Sequence, residues 1–377
     1  MVMHMSAIKK LIKDETVFCA SLLLAALSCL AVRPDMGYLS YPDYRTLSLL
    51  FCLMIVVAGF RSLGVFTLLG EALIRRAGSV RTLSAAMVLL CFFLSMVITN
   101  DVTLLTFVPF TILVFRLVGR EERILKLVVL ETIAANLGSM ATPIGNPQNL
   151  YLYSVSGMSA GGFAASALPY AALSLLMLLA ALMYGRDEPL CAAVPLSRAD
   201  ARQQAGPLRC LPYVLLLALC LLVVFRILPY VPVLLCVAAV IFVVNRRLYL
   251  SVDYFLLLTF LCFFVFIGNL KRIPALSGAL SSLTQGHELL AGILASQFIS
   301  NVPAAILLSG FTDDFSSLLT GVNLGGLGTL IASLASLISF KFFAREYPGG
   351  KGRFLKEFTL WNLAFLLCLS AEAALLL

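Results

Sequence analysis

Histidine, tryptophan and charge are all scarce in this chain of 377 residues: two histidines, one tryptophan, and 12% charged side chains. A soluble domain carries about a quarter charged residues, so a water-facing surface cannot be assembled from this composition. Instead 61% of the residues are hydrophobic, and the solvent the chain is built for is hydrocarbon. Scarcity of histidine matters separately. The ten cysteines lie mostly within apolar segments at irregular spacing, and only His4 and His287 could join them as nitrogen ligands. Neither a metal site nor a disulfide framework is expected. An intramembrane enzyme needs a nucleophile with a base, or a metal constellation, and no carboxylate pair is spaced for metal on one helix face. We therefore expect no enzyme and no cofactor. A long polar region is also missing. The longest, GRDEPLCAAVPLSRADARQQAGPLRC at 185–210, reads as a linker.

What the chain has is a series of apolar runs near the roughly 20 residues that cross a bilayer. Spans are expected near 16–32, 44–60, 125–157, 163–184, 210–228, 231–245, 251–269, 315–340 and 357–377. The first follows Lys9, Lys10 and Lys13. That arrangement also fits a signal peptide, but a retained helix is the expectation. Placing the N-terminus in the cytoplasm and the C-terminus outside puts 22 of the 27 lysines and arginines on the cytoplasmic side, as positive-inside sorting requires. The net charge of +8 is then a topological signal and not a nucleic-acid footprint.

This sorting works only if two segments enter and leave by the same side. One is 83–118, two apolar arms around the polar tip Thr99-Asn100-Asp101. The other is 288–311, with Ser300-Asn301-Val302-Pro303 at its tip. Arms of about 12 residues reach roughly 18 Å into a core roughly 30 Å thick, so the second segment is expected to be re-entrant. Non-helical backbone at that depth must be buried in protein or line a wet cavity.

The chain also repeats itself. NLGSMATPIGNPQN (136–149) aligns with NLGGLGTLIASLAS (323–336), with identities at Asn136/Asn323, Leu137/Leu324, Gly138/Gly325, Thr142/Thr329 and Ile144/Ile331. A hairpin with an asparagine tip precedes each copy, and DYRTLSLLFCLMIVVAG (43–59) echoes DYFLLLTFLCFFVFIG (253–268). The expected organisation is a first half over 1–184 (hairpin 83–118, broken helix 125–157), a cytoplasmic linker over 185–209, and a second half over 210–377 (hairpin 288–311, broken helix 315–340). Inverted repeats with interrupted helices mark secondary transporters whose site lies at the repeat interface. The expected fold class is an all-α integral membrane protein of that kind.

Two hairpin tips and two helix breaks can bring half-helix termini together near mid-membrane. Helix N-termini attract anions, while C-terminal ends and unwound carbonyls coordinate cations. The candidate binding residues are Thr99, Asn100, Asp101, Thr142, Gly145, Asn146, Asn149, Ser300, Asn301 and Thr329. Pro143 and Pro147 remove donors and, with Gly145, favour unwound backbone. Ser139, Ser333 and Ser336 serve equally well as helix-to-helix contacts. Asp101, an ionisable group inside a membrane segment, is a functional candidate by default, able to bind Na⁺ or take up a proton. Glu131 is expected to face either the cavity or a basic partner, Glu71 to pair with Arg75 on an interfacial helix, and Glu372 to be solvated.

With these motifs assembled, the chain resembles the ion transporter superfamily. Its citrate transporter-like group includes divalent anion:sodium symporters, arsenite permeases and some sodium/proton antiporters. The likeness rests on ITNDVTLLTFVPF (98–110), ATPIGNPQNLYLY (141–153), SNVPAAILLSGF (300–311) and NLGGLGTLIAS (323–333). It implies a scaffold, a mobile transport part that carries both hairpins, a homodimer, and elevator-like movement. The dicarboxylate branch has Ser-Asn-Thr at each tip. Asp101 and Val302 depart from that pattern, and an Asn-Asp first tip looks more like the arsenite permeases. The expected function is secondary transport of a small anion, an organic carboxylate or an oxyanion such as arsenite, in the plasma membrane. Transport is coupled to Na⁺ or H⁺ with Asp101 as the coupling carboxylate. Na⁺/H⁺ antiport is the alternative.

Overall fold

In a computed structural model the described residues are 15–74, 77–183, 187–189 and 206–376. Lys9, Lys10, Lys13, Arg75, Arg76, Arg186, Arg198 and Arg202, used in the charge sorting, lie outside them, as does most of the linker.

Helix follows helix throughout. The first half holds α1 (Thr16–Ala31), α2 (Tyr44–Ser62), α3 (Val65–Ile74), α4 (Val80–Ile98), α5 (Asn100–Leu117), α6 (Ile124–Ser139), α7 (Pro147–Ser156) and α8 (Ala160–Met183). The second half holds α9 (Pro207–Val224), α10 (Tyr230–Asn245), α11 (Tyr254–Lys271), α12 (Pro274–Thr284), α13 (Glu288–Ile299), α14 (Asn301–Leu308), α15 (Phe315–Leu324), α16 (Leu334–Glu346) and α17 (Lys351–Leu376). Among the described residues the only β pairing is an isolated bridge between Ser79 and Pro189. Seven helical segments are long and apolar enough to cross a membrane, and the chain is an all-α, multi-pass membrane protein.

Side-chain exposure separates lipid-facing helices from central ones. On α10, Leu235, Phe242 and Val243 are 63–84% exposed, a surface that only hydrocarbon would leave unpenalised. On α6 every residue except Lys126 is buried. Packing crosses the two halves. Leu324, Leu327, Ala335 and Phe343 join the first core around α4–α6, while Leu150, Leu152, Tyr153 and Phe163 join a second core with α9–α11.

Charged loops gather into clusters. Asp187 accepts from the Ser79 hydroxyl and the Arg81 amide, Glu188 pairs with Arg120 at 2.5 Å, and Arg116 pairs with Glu346 at 2.7 Å. These are loops that the charge pattern assigns to one side. Elsewhere Arg272 pairs with Asp35 at 2.7 Å, and Arg226 donates to the carbonyls of Tyr153 and Gly157 at the end of α7. Arg272 and Asp35 lie in loops that the pattern assigns to the other side.

Candidate functional site

Both hairpins turn on a single residue in unusual backbone. Thr99, between α4 and α5, has φ 71° and ψ 150°; Ser300, between α13 and α14, has φ 72° and ψ 154°. That region is nearly restricted to glycine, and a side chain there stores strain that its surroundings must hold. Two non-glycine residues in one conformation, at matched positions, make the tips a duplicated device. Neither α5 nor α14 receives a side-chain cap at its N-terminus. The asparagine after each turn folds back instead, its Oδ1 accepting from the next backbone N–H, Asp101 in one tip and Val302 in the other.

Each broken helix is held against its hairpin by equivalent contacts. A Cβ on Gly138 would stand 2.1 Å from the Phe92 carbonyl oxygen and 2.7 Å from Ser95 Oγ, and one on Gly325 would stand 2.6 Å from Ser296 Oγ. Ser95 and Ser296 each precede their tip residue by one helical turn. Only glycine allows such close approach of helices. Beyond the glycines, Thr142 donates to the Met96 carbonyl at 2.5 Å and Thr329 to the Gln297 carbonyl at 3.1 Å.

The two breaks are also tied to each other, and the alignment names the partners. Asn136 Oδ1 accepts from Ser333 Oγ, and Asn136 Nδ2 donates to Ser336 Oγ. In the matched positions, Asn323 Oδ1 accepts from Asn146 Nδ2 at 3.2 Å, and Asn323 Nδ2 donates to Asn149 Oδ1 at 2.7 Å. Asn146 aligns with Ser333, and Asn149 with Ser336. An asparagine late in each unbroken segment therefore grips the start of the other copy's second segment. Asn100 Nδ2 joins at Asn136 Oδ1, 3.0 Å away, and its backbone N–H donates to the Gly145 carbonyl.

Carbonyls exposed by the breaks are partly engaged. Asn149 Nδ2 donates to those of Ser139, Met140 and Thr142. In the second copy Gln297 Nε2 does the corresponding work for Gly325 and Leu327. The second break has fewer amides of its own because its hairpin lends one. Gly145 is fixed by a different need, since its Cβ would stand 2.1 Å from the Ser139 carbonyl oxygen.

Of the candidate residues, Asn100, Asn146, Asn149, Ser300 and Asn301 are buried in this network. Thr99, Asp101 and Thr142 are partly open, and Thr329 is exposed. The Asp101 carboxylate has no hydrogen bond or ion pair among the described residues. Sequence reasoning missed Asn136, Asn323 and Gln297 as site residues. The asparagines were visible as repeat identities, but their role depends on partners 174–200 residues away. Two expectations change. Glu131 has no basic partner among the described residues and accepts instead from the Thr111 hydroxyl. Glu372 is half-buried, and its Oε2 is shielded with no hydrogen-bond partner among the described residues. Glu71 is buried, and the expected pairing with Arg75 falls outside the described residues. Among the described residues, no cluster of three metal-binding side chains occurs.

A citrate transporter family model matches residues 8–317. The chain belongs to the citrate transporter family. It is similar to the inner membrane protein YbiR of Escherichia coli (strain K12), 36% identical over 305 residues that cover 79% of this chain and 80% of that one. It is also similar to the transporter MJ0456 of Methanocaldococcus jannaschii, 32% identical over 303 residues, 79% of this chain and 81% of the relative. The P protein of Homo sapiens shares 35% identity over 136 residues, 35% of this chain and 16% of that one. This citrate transporter family member is thus a membrane transporter and not an enzyme, acting on a small-molecule substrate from within the bilayer.

Proposed function

We propose that the chain is a secondary active transporter of a small anion, an organic carboxylate or an oxyanion such as arsenite, coupled to Na⁺ or H⁺. The ligand set is Thr99, Asn100, Asp101, Thr142, Gly145, Asn146, Asn149, Ser300, Asn301 and Thr329, with Asp101 as the coupling carboxylate. The observation that carries this reading is the convergence of two uncapped helix N-termini, α5 and α14, on two cross-tied helix breaks. The positive ends of the two helix dipoles suit an anion. The carboxylate of half-buried Asp101 lacks a hydrogen bond or basic partner among the described residues, which suits a cation or a proton.

Because the breaks grip each other across the halves, tips and breaks are suited to move as one body in an elevator-like step. In this reading 1–184 and 210–377 are inverted halves, both hairpins are re-entrant, the N-terminus is cytoplasmic, the C-terminus is outside, and the protein works as a homodimer in the plasma membrane. The sorting of the salt-bridged loops into two groups supports that orientation. Na⁺/H⁺ antiport is a second reading, favoured by the same Asp101.

Proteoliposomes given Na⁺ outside or an acid-outside pH difference test this directly. Labelled citrate, succinate, sulfate and arsenite are offered in turn. Uptake of one of them driven by either gradient is expected, and Asp101→Asn should abolish or uncouple it with membrane insertion intact. Unchanged, gradient-driven uptake in that variant refutes the role of Asp101. Gradient-driven Na⁺/H⁺ exchange with no anion flux selects antiport.

A further inference from the structure

Glu131 stands apart from the tips and breaks, yet it is the most enclosed carboxylate described. Its relative exposure is 0%, and it lies midway along α6, the helix buried almost all round. Its Oε1 meets the Thr111 hydroxyl of α5, and its Oε2 has no hydrogen-bond partner among the described residues. The residues that share this core include Val108, Ile112, Val128 and Ala135, none of which offers a donor. Cys91, on α4, is a titratable group of the same core. Charged groups on the elements packed against α6 are Arg81 on α4, Asp101 and Arg116 on α5, Glu121, Glu122 and Arg123 in the turn before α6, Lys341, Arg345 and Glu346 on α16, and Lys351, Arg353, Lys356, Glu357 and Glu372 on α17; Lys341, Arg345, Lys351, Arg353 and Lys356 are exposed. The described parts of α8 and α15 carry none. Lys126, on α6 itself, donates to the Ala181 carbonyl.

An ionised carboxylate in such a place would have one donor and no counter-charge, the arrangement that buried charges avoid by neutralising. A protonated acid fits the same atoms better. With the proton on Oε1, the acid donates to Thr111 Oγ, and the threonine hydroxyl is free to serve its own helix, as threonines do. Only an under-used carbonyl-type oxygen then remains at Oε2, a much smaller deficit than an uncompensated charge. Glu131 is also one and a half helical turns from Asn136, about 7.5 Å of axial rise, so repacking of α5 against α6 changes its surroundings together with those of the cross-tie.

We propose that Glu131 is a buried proton-binding site, occupied in this conformation and emptied when α5 and α6 repack, and that the proton it carries is a coupling ion of transport. The coupling clause rests on the transporter reading above; the proton-binding clause does not. The test therefore has two arms, on full-length protein and on the variants Glu131→Gln and Thr111→Val. In infrared spectra of the purified protein at neutral pH, the wild type should show a carboxylic-acid carbonyl stretch that shifts in D₂O. The band should vanish in Glu131→Gln and move in Thr111→Val, which leaves the carboxyl in place should the first variant fold poorly. A spectrum unchanged by Glu131→Gln overturns the proposal.

In proteoliposomes loaded with a pH indicator, citrate, succinate, sulfate and arsenite are added from outside. Wild type should move protons with the transported anion, and Glu131→Gln should still exchange that anion across the membrane with proton movement lost. Proton movement equal to wild type in that variant overturns the coupling role. If no anion moves in wild type, the transport reading fails while the infrared band still decides the proton site.

Discussion

Replacing Asn323 with alanine tests the cross-tie between the two breaks. The side chain makes two bonds to the other copy, to Asn149 Oδ1 at 2.7 Å and from Asn146 Nδ2 at 3.2 Å, plus one to the Leu319 carbonyl on its own helix. Helix-to-helix hydrogen bonds in membrane proteins average about 0.6 kcal/mol and reach about 1.7, so the two lost bonds account for roughly 1–2 kcal/mol. Asn146 Nδ2 keeps Ser139 Oγ as an acceptor. Asn149 Oδ1, fully buried, keeps no donor among the described residues, and an orphaned buried acceptor costs about 1–3 kcal/mol. The total is about 2–5 kcal/mol, read as loss of unfolding free energy in mixed micelles of rising SDS fraction. Ser333→Ala is the control, because it removes one bond while Asn136 Oδ1 keeps its donor Asn100, and its loss should stay near 0.6 kcal/mol. Equal small losses in both variants would refute the cross-tie as a stabilising element.

Gly138→Ala forces a Cβ to within 2.1 Å of the Phe92 carbonyl oxygen. It should lose about 3 kcal/mol or more in the same assay and lower transport, whereas Gly278→Ala, in α12 with open space around it, should be neutral or slightly stabilising. Outside the membrane segments, the hydrogen bond from Arg272 holds the Asp35 carboxyl below its ordinary value. The stability this clasp contributes is present above the usual carboxylate range and is lost as pH falls through the lowered value. Melting curves taken from neutral to acid pH should show that loss in wild type, and Asp35→Asn should flatten it; an unchanged acid limb would count against the clasp.

Much of this molecule is legible in composition and spacing. Apolar runs of near-membrane length announced the helices, and the polar tips at Thr99 and Ser300 announced the hairpins, because polar groups placed in hydrocarbon need a reason. Pro143, Gly145 and Pro147 marked the first break through chain chemistry alone. The second break has no proline, and only its alignment with the first revealed it. Asn136 and Asn323 showed as identities of that repeat and nothing more. Their side chains reach across it, and no local pattern encodes a partner in the other copy.

Glu131 makes the same division at the level of one side chain. From the sequence it is a carboxylate in a membrane helix, equally ready to face a cavity or a basic partner. Whether it is paired depends on which face of α5 meets α6, and there the structure sets Thr111 and apolar side chains where a lysine or arginine would have answered the charge. Sequence by itself determined the solvent, the helical class, the breaks and the family, because each follows from apolar length, backbone chemistry or motif identity read along one segment. Tertiary structure alone decided which polar groups are spent on holding the breaks together and which, such as Asp101, are left open. Hydrogen-bond partners inside a membrane protein come from other helices, and their approach is a property of packing.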